Sequence, residues 1–109
     1  QDSPQDFIIG VGESHSVKEF VEAAFSYVDL DWKKYTKIDP RYFRPTEVNS
    51  LISDAAKAGK ELAWQPKIKF YDLVKIMLDA DMRKIGLKRI GEGDAILQKY
   101  FPCRWWKVD

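Results

Sequence analysis

The sequence has little of the chemistry from which disulfide frameworks and metal sites are built. Its 109 residues include one cysteine, Cys103, so no disulfide can form within the chain. They also include one histidine, His15, and no Cys-x-x-Cys or His-x-x-x-His spacing. We therefore expect no metal site, and the missing disulfide framework favours a reducing compartment, the cytoplasm.

The sequence also lacks an excess of either charge and any long apolar run. Its 18 basic and 17 acidic residues leave a net charge of +1, so no overall field attracts a nucleic acid. The longest apolar stretch, residues 7–11, is interrupted by Gly10 and falls far short of the roughly 20 residues of a transmembrane helix. No secretory signal opens the chain. We expect neither nucleic acid nor membrane as a partner.

What the sequence does contain is enough apolar material for a packed domain. Hydrophobic residues make up 45% of the chain and aromatic residues 14%, which excludes intrinsic disorder. The length suits one domain or part of one. Because Gln1 stands first and an apolar run follows closely, we expect a piece of a longer polypeptide that leaves apolar surface uncovered.

Two segments have the period of amphipathic helices. The first follows Ser16, whose Ser-x-x-Glu spacing to Glu19 predicts a capping box. Its apolar positions predict a core-facing side and are Val17, Phe20, Val21, Ala24, Phe25 and Val28. The second begins at Phe70, with Asp79 off its apolar stripe. A shorter helix is predicted over residues 55–62, with Asp54 as its N-cap.

The β-prone segments are short and bounded by glycine or proline. Residues 6–12 predict a buried strand that ends in a turn at two glycines. Residues 35–38 and 42–44 are two further β-prone pieces, separated by Asp39-Pro40. With the helices, they predict a mixed α/β fold in which helices pack with short strands.

Gly10-Val11-Gly12 lies between the first predicted strand and helix, where a dinucleotide-binding loop would lie. The third glycine of that fingerprint is missing, and His15 would crowd the packing of helix on strand. We interpret the segment as a turn. We interpret His15 as a turn residue that forms local hydrogen bonds rather than as a catalytic base.

Tyr71 and Lys75 have the Tyr-x-x-x-Lys spacing by which short-chain dehydrogenases place a phenol beside an ammonium that lowers its pKa. Neither a Ser or Thr partner nor a cofactor loop accompanies them. Because Tyr and Lys are common in this chain, the spacing is expected by chance. We interpret both residues as structural.

Arg44 and Glu47 stand three residues apart across Pro45. Proline stiffens the turn, which could aim the Arg44 guanidinium at a diphosphate while Glu47 accepts the two hydroxyls of a ribose. An ordinary surface ion pair explains the spacing equally well. The residues alone leave both interpretations open.

Three blocks of sequence resemble, in order, the C-terminal part of the GDP-mannose 4,6-dehydratase family. They are residues 12–20, residues 39–48 with the Arg-Pro-Thr-Glu-Val motif, and residues 62–67. The resemblance extends from Asp6 to about Lys84. The Arg-Pro-Thr-Glu-Val motif is its most specific part.

The resemblance implies properties that spacing does not establish. Enzymes of this family are extended short-chain dehydrogenase/reductases, with an N-terminal Rossmann domain for NADP and a smaller C-terminal domain for the nucleotide sugar. They convert GDP-mannose to GDP-4-dehydro-6-deoxymannose. The resemblance implies that Arg44 binds the GDP diphosphate and Glu47 the guanosine ribose. The family's catalytic groups and cofactor loop lie upstream, so no catalytic or cofactor-binding residue is expected here.

From this resemblance we expect residues 1–84 to be a nucleotide-sugar-binding subdomain, followed by a tail, residues 85–109, without an assignment. The parent would be an NADP-dependent lyase, cytoplasmic and homo-oligomeric, acting on GDP-mannose or a related nucleotide sugar, and this part alone would be inactive. Another extended short-chain enzyme is an alternative, such as a GDP-4-dehydro-6-deoxymannose reductase or an NDP-sugar epimerase. A free-standing, non-catalytic interaction module is the other.

Overall fold

A computed structural model describes residues 1–45 and 50–104, and all of its regular elements are helical. Its α-helices are α1 Val17–Tyr27, α2 Ala56–Leu62, α3 Phe70–Lys84 and α4 Glu92–Tyr100. Two short 3-10 turns, Trp32–Lys34 and Pro40–Tyr42, lie between α1 and α2. Neither described range contains a strand, so the predicted mixed α/β fold is wrong.

The apolar run at residues 7–11, predicted as a buried strand, is irregular and lies at the surface. Ile8 and Ile9 are 60% and 55% exposed. A strand needs a neighbour that takes up its backbone N–H and C=O groups. Among the described residues, no backbone-to-backbone hydrogen bond reaches this run. Its β-prone side chains do not make a strand without such a partner.

The β-prone pieces at residues 35–38 and 42–44 are not strands either. Asp31 and Asp39 each accept a hydrogen bond from the N–H two residues later, those of Lys33 at 3.1 Å and Arg41 at 3.0 Å. Local bonds of this kind offer the backbone an alternative to sheet pairing. Each aspartate therefore begins a 3-10 turn.

Helix α1 begins as predicted but is covered less than predicted. Ser16 Oγ accepts the Glu19 N–H at 3.1 Å and Glu19 Oε1 accepts the Ser16 N–H at 3.3 Å, which confirms the capping box. The predicted core face is wrong, because no residue of α1 is buried and Val17 is 81% exposed. Among the described elements α1 packs against α3 and the first 3-10 turn, which leaves much of its surface open.

The two other predicted helices are confirmed, with one shifted start. Helix α3 begins at Phe70, as its apolar stripe predicts. Helix α2 begins with Ala55, not Asp54, as its N-cap, although Asp54 Oδ1 still accepts the Ala56 N–H at 3.0 Å. Helix α2 ends at Leu62 because Ala63 adopts a left-handed conformation, with φ of 53°.

Helix α4, which the sequence patterns did not predict, packs closely on α3. Gly93 allows the approach, since a Cβ there would lie 2.6 Å from the Ile76 Cα and would also overlap the Lys75 carbonyl. The backbones of the two helices are therefore in contact. The predicted boundary between residues 84 and 85 stays a prediction, although it falls where α3 ends.

Asp79 is completely buried and closes the N-terminus of α4. Its carboxylate accepts the N–H groups of Gly91 and Asp94, at 3.2 and 3.1 Å, and the Tyr27 hydroxyl at 3.0 Å. The Tyr27 oxygen accepts the two intervening N–H groups, at 3.1 and 3.3 Å. The N–H groups at the start of α4 are thus bound by side chains of α1 and α3 rather than by a local cap.

Little of the chain is enclosed. Within the described ranges, Ala58 and Val74 are the buried hydrophobic residues. The accessible surface is 9355 Å², against roughly 6,200 Å² for a compact protein of this mass. Large apolar side chains stand in solvent, Ile38 at 94% exposure among them. This confirms that the chain leaves apolar surface uncovered.

Candidate functional site

Arg44 follows the second 3-10 turn, Pro40–Tyr42, and Asp39 sets the geometry of that turn. Asp39 Oδ1 accepts the Arg41 N–H at 3.0 Å. The Arg41 guanidinium then folds back onto the same carboxylate, with Nη2 at 2.7 Å and Nε at 3.1 Å from Oδ2. Hydrogen bonds within the Asp-Pro-Arg sequence thus fix the turn just before Arg44.

The two arginines of this segment have different surroundings. Hydrogen bonds between Asp39 and Arg41 lower the pKa of the carboxyl and raise the pKa of the guanidinium. The charge of Arg41 is therefore balanced within the turn. Arg44 is exposed, and no ion pair joins it to another residue of ranges 1–45 and 50–104. Both guanidiniums are exposed, and within the described residues only that of Arg41 has a carboxylate partner.

Arg44 lines an open cleft of about 640 Å³. Its lining is completed by Lys37, Ile38, Asp39, Tyr42 and Phe43. Because Asp39 and Arg41 balance each other, Lys37 and Arg44 leave the cleft positively charged. Aromatic and aliphatic surface beside two cations suits a ligand that combines a flat ring with phosphate groups.

The sequence predicts part of this cleft. Arg44 was predicted as a site residue, whereas Lys37 and Asp39 were not; the Asp-Pro-Arg spacing is the signal for the capping aspartate. Glu47, the second predicted site residue, lies outside the described residues. The pairing of Arg44 with Glu47 on one ligand therefore stays a prediction.

Tyr71 and Lys75 lie on the first turns of α3 and line an open cleft of about 420 Å³ between α1 and α3. Lys75 Nζ lies 3.7 Å from a carboxylate oxygen of Glu92 on α4. Tyr71 is 58% exposed and meets the edge of Phe70, with ring centres 5.0 Å apart. Both side chains thus contact neighbouring helices or rings. Their assignment as structural residues stays a prediction.

Gly12 occupies a turn that side chains disfavour, with φ of +80°, and its N–H donates to Ser53 Oγ at 3.2 Å. A Cβ on Gly10 would overlap the Ser53 side chain, so this glycine permits a close contact. The N–H groups at the start of α1 are bound by its own capping box rather than directed at a ligand. This geometry agrees with the interpretation of residues 10–12 as a turn.

His15 forms the local hydrogen bonds that its position predicts. Nδ1 lies 2.8 Å from Glu19 Oε2, and Nε2 lies 3.3 Å from Glu13 Oε2. Across ranges 1–45 and 50–104, no three His, Cys, Asp or Glu side chains are grouped to hold a metal ion. No helix of these same residues has the length and apolar character needed to cross a membrane.

Comparison with known proteins places these observations in a family. The sequence model described as GDP-mannose 4,6 dehydratase matches residues 1–77. GDP-mannose 4,6 dehydratase 1 of Arabidopsis thaliana is 51% identical over 75% of the chain and 23% of the relative. The Drosophila melanogaster GDP-mannose 4,6 dehydratase is 44% identical over 75% of the chain and 25% of the relative.

A bacterial relative is more distant but aligns with more of the chain. The Vibrio cholerae GDP-mannose 4,6-dehydratase is 31% identical over 92% of the chain and 32% of the relative. The chain thus spans about a quarter to a third of the length of these relatives. No solved structure matches the chain.

Proposed function

The chain belongs to the GDP-mannose 4,6-dehydratase family, and we propose that it is the C-terminal, nucleotide-sugar-binding part of an enzyme that dehydrates GDP-mannose. The product would be GDP-4-dehydro-6-deoxymannose. NADP, held by another part of the enzyme, would supply the hydride-transfer chemistry for oxidation at C4 and reduction at C6, and water would leave across C5 and C6 between these two steps. The full enzyme is proposed to be a cytoplasmic homo-oligomer.

The observation that carries this proposal is the position of Arg44 in a positively charged, partly aromatic cleft. A guanidinium can bind two diphosphate oxygens at once, through parallel N–H donors. Lys37, on the same cleft, adds a second positive charge for the phosphates. Glu47, which follows Arg44 by three residues, is proposed to accept the ribose hydroxyls.

The exposed apolar surface supports the proposal that this chain works against the rest of a larger enzyme. Val17, Ile8 and Ile38 are all more than half exposed, and an apolar side chain contributes stability only when it is covered. The relatives are three to four times longer, so their remaining parts could supply that cover. Binding of the nucleotide sugar is assigned here, and the chemical step is assigned to residues outside this chain.

Substitution of the two neighbouring arginines in the full-length enzyme tests the proposal. Arg44→Ala removes the guanidinium proposed to bind the diphosphate, whereas Arg41→Ala removes the one that Asp39 balances. We expect Arg44→Ala to weaken GDP-mannose binding by about 1.5–3 kcal/mol, the loss of a charge-assisted bidentate contact. Arg41→Ala should weaken binding less, because it removes no contact to the diphosphate and only leaves the Asp39 carboxylate of the cleft without its counter-charge.

Calorimetric titration of GDP-mannose and of NADP into each variant gives the result. A smaller loss of GDP-mannose affinity is expected for Glu47→Ala, and NADP affinity should be unaltered in all three variants. Equal effects of Arg41→Ala and Arg44→Ala would contradict the assignment of Arg44. A full-length enzyme that leaves GDP-mannose unconverted but acts on another nucleotide sugar would contradict the proposed substrate.

A further inference from the structure

The His15 ring joins the start of α1 to the start of α3. It stacks on the Phe70 ring, with centroids 3.9 Å apart and an interplanar angle of 11°. The ring of Tyr71, the next residue of α3, is nearly perpendicular to the His15 ring, with ring centres 5.9 Å apart. The imidazole is only 20% exposed. It therefore packs on the first turn of α3, although it belongs to the turn before α1.

Both nitrogens of this ring face carboxylates. Nδ1 lies 2.8 Å from Glu19 on α1, and Nε2 lies 3.3 Å from Glu13 in the turn before it. A neutral imidazole has one N–H donor and one lone pair, so it can donate to only one of the two. Its lone pair would then point at the other carboxylate. The contacts are all favourable only when both nitrogens carry a proton.

The other charged group near this cluster connects it again to α3. Lys69, the N-cap residue of α3, lies 3.2 Å from the second oxygen of Glu13. Glu13 thus bridges Lys69 and a protonated His15. The positive ring also lies against the face of Phe70, an arrangement that favours a cation. Within residues 1–45 and 50–104, the charges paired with His15 are Glu13, Glu19 and, through Glu13, Lys69.

From this arrangement we infer that His15 is a pH-dependent latch between the N-termini of α1 and α3. The latch is closed when the imidazole carries two protons, because both carboxylates and the Phe70 ring then stabilise it. When the ring loses one proton, its lone pair faces a carboxylate and the contact with Glu13 is released. The ion pair between Glu13 and Lys69 then no longer connects the His15 ring to the start of α3.

The hydrogen bonds to Glu19 and Glu13 raise the pKa of His15 above its ordinary value of 6.5. The same bonds lower the pKa of each carboxyl. Because the folded pKa of the imidazole exceeds that of the unfolded chain, the latch contributes fully below the unfolded value. Its contribution is lost as the pH rises through the folded pKa.

The first test measures the protonation of His15 in the full-length protein. Exchange of the imidazole C2 hydrogen for deuterium, read by mass spectrometry, reports the pKa on a peptide that contains His15 but no other histidine of residues 1–109. We expect a value above 6.5. Glu19→Gln should lower it, since glutamine keeps the capping box but removes the charge. Glu22→Gln, on the same helix but without a contact to His15, should leave it unchanged.

The second test asks whether this proton holds the two helices together. Backbone amide exchange is followed in the first turns of α1 and α3, corrected for the intrinsic effect of pH. In the wild type, protection of both turns should fall together as the pH passes the His15 pKa. Phe70→Leu, which keeps apolar bulk but removes the ring, should abolish this step. A wild-type pKa at or below 6.5, or protection without a pH step, would overturn the inference.

Discussion

The attachment of α4 is expected to depend on Asp79, and Asp79→Asn tests it with little change in shape. Asp79 Oδ1 accepts two hydrogen bonds, from Tyr27 and Gly91, and Oδ2 accepts one from the Asp94 N–H. Asparagine offers a single oxygen. With that oxygen in the Oδ1 position, the amide NH₂ faces the Asp94 N–H, and two donors oppose each other.

The magnitude follows from these bonds. One buried N–H without an acceptor costs about 1–3 kcal/mol, and hydrogen bonds to a neutral acceptor contribute about 1 kcal/mol less than those to a charged one. With one bond lost and the two bonds to Oδ1 each weakened, the sum is roughly 3–5 kcal/mol, a large part of the about 5–15 kcal/mol by which domains are stable. Since the lost bonds start α4, we expect α4 to open locally before the rest unfolds.

Hydrogen exchange of the α4 amide groups measures this opening directly. Asp81→Asn is the matched control, because Asp81 lies on the same helix, is exposed and carries the same charge. We expect faster exchange throughout α4 in Asp79→Asn and wild-type exchange in Asp81→Asn. If α4 exchanged equally slowly in both variants, the role assigned to the buried carboxylate would be refuted.

Two further predictions concern glycine and tyrosine positions. Gly93→Ala should destabilise the chain by about 1–3 kcal/mol because its Cβ would overlap the α3 backbone. Gly59→Ala, with only an ordinary contact at 3.7 Å, should stabilise α2 by up to about 1 kcal/mol. Chemical denaturation measures the change in unfolding free energy of each variant, and changes of the same sign would contradict the packing. Burial is the main cause that raises the pKa of Tyr27 above 10.0, and the hydrogen bond to Asp79 also raises it. The neutral hydroxyl therefore stabilises the fold below the unfolded pKa and this contribution is lost as the pH rises through the folded one. Circular dichroism of an alkaline titration should show helix loss at that step, and helix content that persists after Tyr27 ionises would contradict it.

The helices that sequence patterns predicted are those whose signals are local. Ser16 and Glu19 are three residues apart and satisfy each other, so the start of α1 needs no distant partner. The stripe that begins at Phe70 predicted α3 for the same reason. The strand predictions were wrong because the backbone N–H and C=O groups of a strand are satisfied only by another strand. The sequence of a run such as residues 7–11 therefore shows its β-propensity but not whether a partner strand is present.

The candidate site shows the same division between local and distant information. Arg44 was predicted as a site residue because its motif resembles that of a family. The ion pair between Asp39 and Arg41 is visible only in the structure. The capping aspartate binds an N–H only two residues away, so the Asp-Pro-Arg spacing was a local signal for it that the prediction did not use. Local rules could not identify which arginine would pair with that carboxylate. That distinction decides which of the two should bind an anion.

Sequence patterns did not predict helix α4 because the residues that fix its position predict something else when each is considered alone. Gly91 and Gly93 indicate a turn when taken alone, yet Gly93 is the position where α4 needs no side chain to approach α3. Asp79 lies off the apolar stripe of α3 and so predicts a solvated side chain, yet it is fully buried. It can be buried because Tyr27 and the start of α4 together supply its hydrogen-bond donors. The glycine and the aspartate make sense only as a pair, since the close approach of α4 is what brings its N–H groups to the carboxylate.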